Sequence, residues 1–131
     1  MISLQTLRTS WAPRLLSVLR MVAGFLFMQH GGQKLFSFPA APQAEPALFS
    51  LLGLAGVLEL FGGALILLGL FTRPVAFLLA GEMAFAYFMV HAPRDFWPLV
   101  NQGELAALYS FLYLYLFAAG GGPWSLDRLR K

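Results

Sequence analysis

The stretch VLELFGGALILLGLFTR, residues 57–73, holds a single ionisable side chain in the sixteen residues before its arginine. That residue is Glu59, set deep in an apolar run, and the reading of the fold turns on what surrounds it. Of the 131 residues, 59% are hydrophobic and 11% are charged, against roughly 25% charged in soluble domains. Mean hydropathy is +0.70. Such an excess suits a chain whose outside is also apolar, which places it in lipid. The length fits one domain.

A membrane helix needs about 20 mostly apolar residues. Four segments qualify, at about 14–36, 46–71, 74–91 and 101–120. They are bounded by SFPAAPQAEP, TRP and APRDFWP between them and GGGPWS after the last, stretches rich in helix breakers. The third is short, which tilt or a thinner bilayer accommodates. With connections this short, the expected architecture is all-α: a four-helix transmembrane antiparallel bundle, up-down-up-down. The apolar N-terminal stretch is followed by QHGGQK instead of a small-residue cleavage site, so it reads as an uncleaved first span.

Basic residues favour the cytoplasmic side. With the N-terminus inside, Arg8, Arg14, Arg20, Arg73, Arg128, Arg130 and Lys131 are cytoplasmic, and only Lys34 and Arg94 are outside. Both termini are then cytoplasmic. Trp11 and Trp124 fall at the inner interface and Trp97 at the outer one. The isoelectric point near 9.7 follows from this bias; the basic residues form no stripe, so nucleic acid is not an expected partner. Cysteine is absent, which excludes disulfides, thiolate metal sites, iron–sulfur clusters and thiol redox chemistry.

At about 100° per residue, Arg20, Ala23, Phe27, His30 and Lys34 share one stripe, with Gly24 and Gly31 beside it. Ala55, Gly56, Gly62 and Gly63 flank Glu59 in the same way. Small residues mark close helix packing in membranes, so both stripes are expected to face the bundle interior. Ionisable groups at such depth usually face the interior and pair. The expected cluster is Arg20, Glu59 and Glu82, from three helices at similar depth, with one carboxylate left short of a counter-charge. Its bland reading is an ionic staple that fixes register; its functional reading is a proton-handling or ligand site. A second group is expected near the outer surface: His30, Lys34, His91, Arg94, Asp95, Asn101 and Glu104. There Asn101 is an N-cap candidate with Glu104 completing a box three residues on. Helix phasing sets His91 about opposite Glu82, so a haem or two-histidine metal site is not expected. A histidine, a lysine and nearby aromatics suit a quinone head group, whose carbonyls need donors.

Read in order, Arg20, Gly24, HGGQK (30–34), GVLELFGGALILLGLFTRP (56–74), His91, NQGELAALY (101–109) and GGGPWSLD (120–127) resemble the DoxX family of small bacterial four-helix membrane proteins, over nearly the whole chain. The resemblance implies a multi-pass protein of the bacterial plasma membrane. It also implies association with oxidoreductases, since family members are linked to a thiosulfate:quinone oxidoreductase and to complexes that manage oxidative stress. The family's polar signature falls on Arg20, Lys34, Glu59, Arg73, Asn101, Glu104 and Asp127, none of them a proven catalytic group. The expected function is a quinone-interacting membrane subunit associated with a soluble oxidoreductase, with the catalytic residues undefined. Two alternatives stand beside it: a non-catalytic scaffold that recruits a soluble enzyme, and a small transporter acting as a homo-oligomer.

Overall fold

The computed structural model describes residues 1–42 and 48–131, and among these there is no strand. Three helices are long and apolar enough to cross a membrane: α1 (Leu4–Phe36), α2 (Leu51–Leu68) and α3 (Thr72–His91). A single helical turn, α4 (Pro98–Asn101), leads into the shorter apolar helix α5 (Glu104–Ala119), and α6 (Leu126–Leu129) closes the chain.

The boundaries follow local chemistry. α1 begins ten residues before the expected 14, because the widened turn Leu7–Trp11 runs straight on into Ala12–Phe36, and Pro13, inside the continuous helix, falls where the hydrogen-bond register changes. α2 starts at Leu51, where Ser50 accepts the Gly53 amide at 3.1 Å; the expected start at Pro46 lies outside the described residues. α2 ends at Gly69, whose φ of +69° is the left-handed cap that glycine supplies without strain. The TRP separator proves to be the first turn of α3. Its proline lacks only an N–H that has no helical partner there anyway.

Glycines set the α1–α2 contact. A Cβ on Gly24 would lie 2.7 Å from the Gly63 carbonyl oxygen, and one on Gly31 would lie 2.7 Å from that of Gly56. The two backbones therefore touch, and the pairing of rising with falling numbers makes them antiparallel. α5 runs antiparallel to α3: Arg73 meets Phe117 and Ala118, and the Ser110 hydroxyl donates to the Ala80 carbonyl at 2.9 Å. α1 closes on α5 through Phe27, whose ring lies 5.2 Å from Tyr109 and 5.1 Å from Tyr113. The core is small: Ala23, Phe27, Ile66, Leu79, Tyr113 and Leu116 are almost fully buried, and few others join them. Leu15, Phe25, Phe61, Phe77, Phe88 and Phe111 stay exposed on the outside. A soluble protein rarely shows so much contiguous apolar surface; lipid is the solvent these faces need.

Candidate functional site

The expected triad does not form. Arg20 is fully buried, yet among the described residues it forms no ion pair, and Asp127 acts on it only at a distance. Its Nε donates to the Gly121 carbonyl at 2.8 Å, one terminal nitrogen donates to the Ile66 and Leu67 carbonyls, and the other donates to the Trp124 carbonyl. The last carbonyls of a helix have no partners within it. At the end of α2 the guanidinium supplies them, and its planar fork reaches across to the segment after α5. Register explains the miss. Arg20 precedes Lys34 by fourteen residues, about 21 Å along α1, and Glu59 packs at the level of Gly31 to Lys34.

Glu59 is paired instead with Lys34, Oε2 to Nζ at 2.6 Å, with the carboxylate side chain 5% exposed and the lysine 22%. Glu59 lies in a widened helical turn, Leu58–Gly62. Such turns loosen the backbone ladder and recur at functional sites. Glu82 stands at the same level on α3, one turn after Leu79, the side chain that packs on Gly62. Both Glu82 carboxylate oxygens are buried, and neither has a hydrogen-bond partner among the described residues. Glu82 thus lies within electrostatic reach of the Lys34–Glu59 pair without bonding to it, and the Tyr109 and Tyr113 rings of α5 stack at 5.7 Å. The base beside Glu59 is therefore Lys34, where the sequence pattern pointed to Arg20.

The second expected group divides as well. Lys34 leaves it for Glu59. Asn101 is fully buried and organises the α3–α5 connection: its Nδ2 donates to the Asp95 carbonyl at 2.9 Å and to the Tyr87 hydroxyl at 3.3 Å, and its Oδ1 accepts the Gly103 amide at 2.7 Å. His91 Nδ1 contacts the Asn101 carbonyl at 3.0 Å. Asn101 is therefore not the N-cap of α5. It ends α4, Gly103 takes the cap position, and no box forms with Glu104, which is exposed. His30 is half-buried one turn before Lys34, and Arg94 is exposed.

At the end holding both termini, the remaining signature residues serve backbone groups. Asp127 accepts the Phe71 amide at 2.7 Å and the Thr72 amide at 2.9 Å, so it caps α3 from a distant segment. Partial burial pushes its carboxyl up, but the Thr72 and Phe71 amides and the Arg130 charge outweigh that and hold it below the usual carboxylate value. Arg73 donates to the Phe117 and Ala118 carbonyls, closing the end of α5. Ser17 is a residue that sequence reading passed over. It is fully buried and its hydroxyl accepts the Trp124 amide at 3.1 Å. Its place one turn before Arg20 on the inward stripe was the available signal.

The sequence model of the family described as DoxX matches residues 15–92. An uncharacterized protein of Haemophilus influenzae is 42% identical, over 89% of this chain and 91% of that protein. A protein of Mycobacterium tuberculosis described as an uncharacterized membrane protein is 30% identical, over 91% of this chain and 87% of that one. No solved structure matches.

Proposed function

Because this chain belongs to the DoxX family of membrane proteins, we propose that it is a four-span subunit of the bacterial plasma membrane, both termini cytoplasmic, that interacts with a quinone beside a soluble oxidoreductase. The observation that carries this reading is the unpartnered Glu82 carboxylate beside the Lys34–Glu59 ion pair. An ionisable group inside a membrane is costly, and its retention points to function. Reduction of a quinone takes up two electrons and two protons at its carbonyl oxygens. Lys34 keeps part of its side chain accessible and suits a carbonyl acceptor, with His30 one turn away on the same helix. Glu82, without a hydrogen-bond partner among the described residues, suits a group that passes a proton. The electrons come from the partner, since a chain without cysteine has no thiol to supply them.

A specific observation supports a second reading, the non-catalytic scaffold. Arg20, Arg73 and Asp127 are all committed to backbone groups at one end of the molecule, so a large part of the polar signature serves structure. The two readings separate on lipid mass spectrometry of protein purified in mild detergent, beside an unrelated four-helix membrane protein. Near-stoichiometric quinone that is lost in Glu82→Gln, with folding intact, supports the quinone reading. No enrichment, with a soluble protein co-purifying, sinks it in favour of the scaffold.

A further inference from the structure

The end of the molecule that holds both termini carries a groove of about 930 Å³, within the size range of roughly 300–1,000 Å³ typical of small-molecule sites. Three separate parts of the chain bring cations to it: Arg14 from α1, Arg73 from the start of α3, and Arg128, Arg130 and Lys131 from the C-terminal segment. All five are exposed. Against them stands one side-chain carboxylate, Asp127, whose two oxygens already accept the Phe71 and Thr72 amides. The ion pair described at this groove, Arg130 with Asp127, is long at 3.9 Å. Arg73 spends one nitrogen on α5 carbonyls, and Arg130 lies over the Phe71 ring at 4.2 Å. Among the described residues, no side-chain carboxylate forms an ion pair with Arg14, Arg128 or Lys131.

Like charges drawn together around a concavity repel one another unless an anion joins them. Sequence topology explains why basic residues lie on this side, but not why three segments converge on one groove. Guanidinium forks match phosphate oxygens two at a time. Thr9 and Ser10 add hydroxyls at the rim, while Phe71, Pro74 and Ala119 give the groove an apolar flank toward the lipid-facing surface. We propose that this groove binds a phosphate-bearing anion, held by Arg14, Arg128 and Lys131, at the boundary where phospholipid head groups lie. This site is independent of the Glu82 chemistry.

The test uses full-length protein in a neutral detergent, with Trp97→Phe so that the fluorescence reports from Trp11, which packs on Arg14 at 5.9 Å, and Trp124. Short-chain phosphatidylglycerol, phosphatidylcholine of equal chain length and inorganic phosphate are titrated at constant ionic strength. Saturable binding of phosphatidylglycerol, with the phosphatidylcholine affinity at least tenfold weaker, is expected. The double substitution Arg14→Gln/Arg128→Gln weakens the phosphatidylglycerol affinity at least tenfold, and Arg94→Gln at the far end leaves it unchanged. The charge-keeping pair Arg14→Lys/Arg128→Lys restores most of the binding, which separates loss of the site from loss of the fold. Competition by inorganic phosphate identifies a soluble ligand, and its failure to compete identifies the lipid head group; both keep the phosphate site. Equal affinity for the two lipids, or unchanged affinity in Arg14→Gln/Arg128→Gln, overturns the proposal.

Discussion

Arg20 shows how far a residue can be read from sequence. Its helical phase predicts burial, and it is fully buried. Its partners were invisible, because they are backbone carbonyls of Ile66, Leu67, Gly121 and Trp124. A count of charges finds carboxylates, not the unpaired carbonyls of a helix end. The same blindness hid the role of Asp127, whose partners are amides. Arg20→Met should lower stability by about 3 kcal/mol, since each hydrogen bond to a charged donor is worth roughly 1.5–3 kcal/mol and its acceptors stay buried. Arg20→Lys should recover less than half of this, because one ammonium cannot span two chain segments. Thermal unfolding in detergent measures both, and full recovery by lysine would show that charge alone matters. Asp127→Asn should cost about 1 kcal/mol, because an amide offers one acceptor oxygen where the Phe71 and Thr72 amides use two. Because the folded carboxyl titrates below its ordinary value of 3.8, its stabilisation is complete above that pH and disappears as pH falls through the lower folded value. The gap between wild type and variant should thus be flat above about pH 5 and close below about pH 4; a gap that persists in acid would assign the effect to packing.

Between elements, small residues do what side-chain volume does in a soluble core. The period that placed Gly24, Gly31, Gly56 and Gly63 on facing stripes was legible in the sequence, because lipid leaves close backbone approach as a main source of helix attraction. Helix ends were less legible. TRP reads as a breaker, yet it opens α3, because proline is harmful within a helix and harmless in its first turn. Asn101 reads as a cap for α5, yet a buried network with Tyr87, Asp95 and Gly103 claims it. Local pattern cannot reveal a competitor from another segment. Two glycines make the packing argument testable. Gly31→Ala puts a methyl 2.7 Å from the Gly56 carbonyl oxygen, where only backbone can yield, and should destabilise by roughly 1–3 kcal/mol. Gly81→Ala meets nothing within 4 Å and should be neutral or stabilise by up to about 1 kcal/mol through helix propensity. Unfolding midpoints of the two proteins, measured side by side, should move in opposite directions or by clearly unequal amounts. Equal losses would mean that the α1–α2 contact is looser than described.

For the molecule as a whole, the open matter is whether α5 crosses the bilayer. Its 16 residues span about 24 Å, short of a hydrocarbon core of about 30 Å. α5 nevertheless packs against α3 from Phe77–Phe117 to Ala80–Ser110, and beyond its start the α4 residue Asn101 meets Tyr87 near the other end of α3. Since α3 is long enough to cross, α5 covers most of the same depth. The turn α4 and the Gly120–Gly122 segment extend it at its two ends, and a tilt or local thinning accommodates the remainder at a cost of fractions of a kcal/mol per Å. A crossing α5 puts the α3–α5 connection and the C-terminus on opposite sides of the membrane. The absence of cysteine makes this direct to test with single introduced thiols at two exposed positions. In intact cells, Arg94→Cys should react with a membrane-impermeant maleimide, and Lys131→Cys should react only after permeabilisation. Labelling of both from outside would make α5 a re-entrant element and leave Glu82 beside a partly open face. Protection of both would reverse that geometry and place the connection in the cytoplasm. The split pattern alone keeps Glu59 and Glu82 enclosed at mid-membrane, where a carboxylate without a partner has to exchange protons with something other than bulk water.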